Sequence, residues 1–127
     1  MKPRMSPALL CLLLALPAGA HHSGAAFDRN KSVTVIGTVN SVEWTSPHAR
    51  LKVDAKDETG TAVTWDFELP SPVTLTRRGW SKSTLMPGDK ITVTAAPARE
   101  HPRIAIATGV IDKSGKRLFS GAANSTE

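Results

Sequence analysis

Two stretches of this chain, residues 48–56 and 61–69, alternate apolar and polar side chains almost without interruption. In the first, Ala49, Leu51, Val53 and Ala55 fall on one side, and Arg50, Lys52, Asp54 and Lys56 on the other. In the second, Val63, Trp65, Phe67 and Leu69 oppose Thr64, Asp66 and Glu68. A period of two is the signature of a strand with one face against a core. Asp57-Glu58-Thr59-Gly60 between them is turn chemistry, so the spacing predicts an antiparallel hairpin. Its dry face demands cover from the rest of the chain.

That cover reads as more strand. Residues 33–44 are rich in β-branched side chains; their apolar phase runs Val33, Val35, Gly37, Val39 and then shifts to Val42 and Trp44. A phase shift beside a glycine predicts a bulge and a bend. Thr45-Ser46-Pro47 is a turn. After the hairpin, Ser71 is placed to cap a short helix with Pro72 at its first position and Gly79 past its end. A strand is expected over 90–96, with Ile91 and Val93 inward, and another over 103–112, with Ile104, Ile106 and Val110 as its apolar set. Leu118 and Phe119 add a short strand at most. Three strands, a short helix and two strands, the first strand long and bent, predict an all-β fold. The form expected is a small five-stranded, partly open barrel of OB type with its helix between strands 3 and 4. A small sandwich is the alternative.

The first twenty residues are of another kind. Met1-Lys2-Pro3-Arg4 is a short positive region, residues 8–16 are apolar, Pro17 interrupts them, and Ala18-Gly19-Ala20 is a small-x-small cleavage pattern. This order is that of a secretory signal, and the apolar run is too short to span a bilayer, so no stable membrane anchor is expected. Cleavage would leave His21 as the first residue of a 107-residue chain (127 less 20). Such a chain has no cysteine, since Cys11 is removed, and carries 14 Lys and Arg (16 less Lys2 and Arg4) against 11 Asp and Glu, a net +3. A periplasmic home follows as the expectation. The organisation expected is a signal over 1–20, an N-terminal arm over 21–31 held by Phe27, a barrel over 32–119 and a polar tail over 120–127.

Several of these residues also carry a resemblance. His21-His22-Ser23, Gly37-Thr38-Val39, Val42-Glu43-Trp44 and Pro47-His48 are joined later by Trp65, Glu68, Pro72, Leu75, Gly79-Trp80, Leu85 and Pro87-Gly88-Asp89. Together they resemble a family of small exported bacterial proteins known only as a domain of unknown function, DUF6152. The resemblance implies a compact β-barrel in the periplasm and implies no activity. Ser46 stands where that family usually has asparagine, and Gly24 where an aromatic is usual.

Histidines are the most informative polar residues: His21, His22, His48 and His101. An N-terminal His21 would offer its amine and a ring nitrogen to one metal ion. An imidazole from elsewhere would complete a three-nitrogen set suited to copper(II), which favours tetragonal nitrogen coordination. His48, at the start of a strand, is the candidate for that third nitrogen. His22 competes with it, because an amine, the next amide nitrogen and a second-position ring also wrap copper. Glu68 or Asp66 is a candidate to orient a ring from behind. A solvated His-His end, with His48 as a mere turn residue, is the bland alternative. His101, between Glu100 and Pro102, reads as solvated.

A structural zinc site lacks its cysteines. No catalytic centre is expected: Ser71, Ser81 and Ser83 lack the Gly-x-Ser-x-Gly setting, and no thiol survives cleavage. Asp66 and Glu68, at i and i+2, read as the solvent face of one strand. Barrels of this type also bind single strands through exposed aromatics and a basic groove. Here aromatics are 5% of residues, and Arg77 and Arg78 are explained by the end of a helix. Nucleic acid is therefore not expected as a partner. The expectation is a periplasmic binding protein for copper(II). Its alternative is a metal-independent module that holds an unknown periplasmic protein or small ligand on a surface around Trp44 and Trp80.

Overall fold

The computed structural model describes residues 26–121. In chain order these form β1 (Val33–Glu43), β2 (Arg50–Lys56), β3 (Ala62–Glu68), α1 (Pro72–Arg77), β4 (Lys90–Pro97), β5 (Ile104–Asp112) and β6 (Arg117–Ser120). The sheet order is β3-β2-β1-β4-β5-β6, and β3 also pairs with β5. That last pairing, parallel through Asp66↔Ile104, Phe67↔Ala105 and Glu68↔Ile106, closes a five-stranded barrel of OB type. β6 extends β5 along the same rim, Gly109↔Ser120 to Ile111↔Arg117.

The hairpin of β2 and β3 runs in unbroken register from Arg50↔Glu68 to Lys56↔Ala62, as the alternation requires. In β1 the register with β2 slips between Val39 and Ser41, where the apolar phase shifts. This bulge lets one strand serve two neighbours: Val33–Thr38 pair with β4, and Thr38–Glu43 with β2. Gly37 sits at the changeover, where the bent strand meets the backbone of β2: a Cβ there would fall on the Asp54 carbonyl oxygen and 2.7 Å from Val53 Cγ1.

Inside the barrel, Val35, Val39, Leu51, Val53, Phe67, Leu69, Ile91, Val93 and Val110 form the main core. Ser71 caps α1 by accepting from the Thr74 amide, Pro72 opens it, and Leu75 is its one buried side chain. The chain leaves the helix through Gly79 at φ +87°, a conformation that favours glycine. β5 departs from its expected face. Ala105 and Ala107, not Ile104 and Ile106, point into the main core. Ile106 joins Phe27 and Ala96 in a second cluster, against which Ile104 and Ala98 pack. Cross-strand partners share a face, so Glu68, Ile106 and Ala96 form one row on the barrel's outer wall. Trp80 is likewise not a surface platform. It is 5% exposed, packed in the main core, and its Nε1 donates to the Leu118 carbonyl at 2.7 Å. Trp44 is half-buried against the same core.

Two hairpin loops use one device. Asp57 Oδ1 accepts from the Thr59 hydroxyl (2.6 Å) and the amides of Thr59 (2.9 Å) and Thr61 (3.0 Å). Asp112 Oδ1 accepts from the Ser114 hydroxyl (2.6 Å) and the amides of Ser114 (2.8 Å) and Lys116 (3.0 Å). These bonds, the hydroxyl first, hold both carboxyls below the usual aspartate range, and Asn40 with Thr64 does the same for Asp54. A depressed folded-state pKa stabilises the fold above the unfolded value, and that contribution is lost as pH falls through the folded one. The urea midpoint is therefore expected to be level above about pH 5 and to fall below about pH 4. Asp57→Asn with Asp112→Asn should flatten the fall; an unchanged acid limb would refute this assignment.

Candidate functional site

Where β2 begins and β3 ends, the hairpin register brings four polar side chains together. Arg50 and Glu68 are direct cross-strand partners. The strand contact continues past them, as Leu69 donates to the Ala49 carbonyl (2.9 Å) and Ala49 to the Pro70 carbonyl (3.2 Å). His48 thus lies one step beyond Ala49, on the face of Arg50 and Glu68. Its approach is the β1–β2 turn, with a cis Ser46-Pro47 bond and the Thr45 hydroxyl donating to the His48 carbonyl at 3.2 Å.

Arg50 is held firmly. Its Nε and one terminal nitrogen reach the two oxygens of Asp66 at 3.0 and 2.8 Å, a bidentate pair. This bond to Asp66 is the chief cause that raises the guanidinium pKa, against the opposing effect of burial. The other terminal nitrogen lies 3.7 Å from Glu68 Oε2. Glu68 Oε1 faces His48 Nε2 at 3.5 Å.

Glu68 corrects the expectation of a solvent-facing carboxylate: the residue is 7% exposed. The alternation places it outward correctly, but the outer wall here is itself covered, in line with Ile106. Burial leaves two atoms without a partner, His48 Nδ1 and Glu68 Oε1. An unpaired buried polar atom costs on the order of 1–3 kcal/mol, more where charge is involved. This cost makes the pair the candidate site among the described residues.

His48 and Glu68 are thus brought together, as a ring with a carboxylate beside it. Asp66 belongs to Arg50 instead. His21 and His22 lie outside the described residues. His101 is exposed in the β4–β5 loop. Among the described residues no group of three or more His, Cys, Asp or Glu is placed to hold a metal ion, and no helix is long and apolar enough to cross a membrane. The part of Arg50 goes unread in the sequence analysis, although the hairpin register that aligns it with Glu68 was available there. Away from this site, a groove of about 700 Å³ runs between the start of β1 and the β2–β3 turn, lined by Val33, Ile36, Asp57, Trp65 and Arg103.

No curated protein matches the sequence. Among solved structures, the mitochondrial single-stranded DNA binding protein Rim1 from S. cerevisiae is similar at 10% identity, over 72% of this chain and 97% of that one, with a TM-score of 0.48. This corrects one expectation. The expectation that nucleic acid is no partner is withdrawn, because this similar protein is named for binding single-stranded DNA. The likeness itself assigns no ligand to this chain. The profile of a family of unknown function, DUF6152, matches residues 8–107 of the 127 and so runs from before β1 into the first residues of β5. The chain therefore belongs to the DUF6152 family.

Proposed function

We propose that this is a small exported binding protein that takes up copper(II) where its N-terminal arm meets the barrel. His48 supplies a ring nitrogen from the barrel, and the amine and ring of a processed His21 supply two more. His22 lies next to them. The observation that carries this reading is the His48–Glu68 pair, with Nε2 3.5 Å from Oε1 and with His48 Nδ1 and Glu68 Oε1 both buried without a hydrogen-bond partner.

Phe27 is buried and bridges to Ala98, while the Asp28 amide donates to the Pro97 carbonyl and the Arg99 amide to the Ala26 carbonyl, so the arm that follows His21 is tied to the barrel. A terminal amine, imidazoles and a carboxylate are donors that copper(II) accepts. The alternative, a metal-independent surface around Trp44 and Trp80, is weakened by the burial of Trp80.

The test uses the protein recovered from the periplasm of a producing bacterium, its terminus checked by mass. Copper(II) titration should give one-to-one binding. One extra residue ahead of His21, or His48→Ala, should each weaken it by about ten-fold or more. Weak binding indifferent to both changes would overturn the reading.

A further inference from the structure

We infer that the end of the barrel built by α1, the chain that follows it and the β5–β6 hairpin is a docking face for a bilayer surface rich in anionic phospholipid. Binding there is peripheral and reversible, made by side chains with no spanning segment. Neither His48 nor a metal ion takes part.

Charge is divided unevenly over the described residues. Residues 71–89 and 112–121 hold six cations, Arg77, Arg78, Lys82, Lys113, Lys116 and Arg117, against Asp89 and Asp112, a net +4. The remainder of residues 26–121 holds eight Lys and Arg against eight Asp and Glu, a net of zero. Contacts bring the two charged segments together. Arg78 Nη1 donates to the Ser120 carbonyl at 3.4 Å, its guanidinium lies over the Phe119 ring, and Trp80 donates to the Leu118 carbonyl. Further on, Thr84, Leu85 and Asp89 share the walls of one small cavity with Asp112, Lys113 and Leu118. All six cations are exposed. Every ion pair among the described residues lies outside the two segments. Both aspartates are occupied locally: Asp89 accepts from the Met86 amide, and Asp112 from the amides of Ser114 and Lys116. Like charges gathered on one face without carboxylate partners favour an anionic surface.

Apolar side chains select the kind of surface. Of three large hydrophobic residues that stand exposed, Val73 (58%) and Met86 (50%) lie on the first segment. Val73 is four residues before Arg77, so the two share one side of α1. Aliphatic groups beside cations suit the boundary of headgroups and acyl chains, where the apolar groups enter and the cations meet phosphate. Single-stranded nucleic acid is held instead by exposed rings on which bases stack. At this end of the barrel the rings are withdrawn, since Trp80 and Phe119 are buried and Arg78 covers Phe119.

The test mixes the protein recovered from the periplasm of a producing bacterium, kept in chelator, with vesicles of phosphatidylglycerol and phosphatidylcholine in equal parts. Flotation should carry the protein with these vesicles and not with phosphatidylcholine alone. Near such a surface each cation is worth about five-fold in affinity. Lys82→Gln with Lys116→Gln should therefore lose about twenty-fold. Lys31→Gln with Lys56→Gln removes the same net charge from the balanced remainder and should lose less than about three-fold. Val73→Ser with Met86→Ser leaves the charge unchanged and should still weaken vesicle binding several-fold. No binding to the anionic vesicles, or equal losses from the two lysine pairs, would overturn the proposal. So would tighter binding of a single-stranded oligonucleotide that ignores Val73→Ser with Met86→Ser, which would give the face to nucleic acid. Copper binding can succeed or fail without changing any of these outcomes.

Discussion

Phe67→Ala should remove a large share of the stability of the barrel. Phe67 is fully buried near the end of β3, pairs with Leu51 across β2 and Ala105 across β5, and stacks on Trp65 with ring centroids 5.7 Å apart. It therefore stands at the seam where β3 closes the barrel onto β5. Truncating a buried phenylalanine costs about 3–5 kcal/mol. A domain of this size is stable by about 5–15 kcal/mol, and each kcal/mol is worth about 4–8 °C in Tm. A loss of at least about 12 °C, followed by circular dichroism on heating, is the expected result. A shift of a few degrees would mean that the barrel does not close through β3 and β5 as described.

Gly37→Ala should cost nearly as much for the opposite reason. Its added Cβ meets the Asp54 carbonyl oxygen and Val53 Cγ1, and the carbonyl is backbone in a paired strand. Since β1 and β2 begin to pair at Thr38↔Asp54, the clash can be relieved only by opening that pairing. Overpacking of this kind costs about 1–3 kcal/mol and can exceed that where backbone must move. Urea unfolding should show the loss in its midpoint. Because the penalty is steric and not conformational, Gly37→Ser should behave like alanine. A neutral effect for both would contradict the close approach of the two strands.

The hairpin was legible in the sequence because alternation, turn and strand length agree over residues 48–69. The bulge in β1 was legible as a phase shift, and α1 as Ser71, Pro72 and Gly79 in order. β5 misled for a physical reason. Residues 104–107 read Ile-Ala-Ile-Ala and are apolar in both phases, so periodicity cannot tell which face is the core. The choice is made by partners distant in the chain, Phe27 on one side and the barrel interior on the other. Trp80 misled in the same way, since the carbonyl that satisfies its indole belongs to Leu118, far along the chain. At the site, His48 and Glu68 were visible as residue types. Their proximity follows from the hairpin register, but the burial of Glu68 does not. A period of two places a side chain outward without saying what covers the outside, and here the outer wall carries a second apolar cluster.

The central claim is that one metal ion sits between the barrel and the processed terminus. Crystals of the protein recovered from the periplasm of a producing bacterium, grown with copper(II), and diffraction recorded on both sides of the copper absorption edge, address it most directly. One anomalous peak about 2 Å from His48 Nε2, with the His21 amine beside it, is the predicted result. A peak at His101 or at the terminus alone, with His48 and Glu68 still facing each other empty, would contradict it.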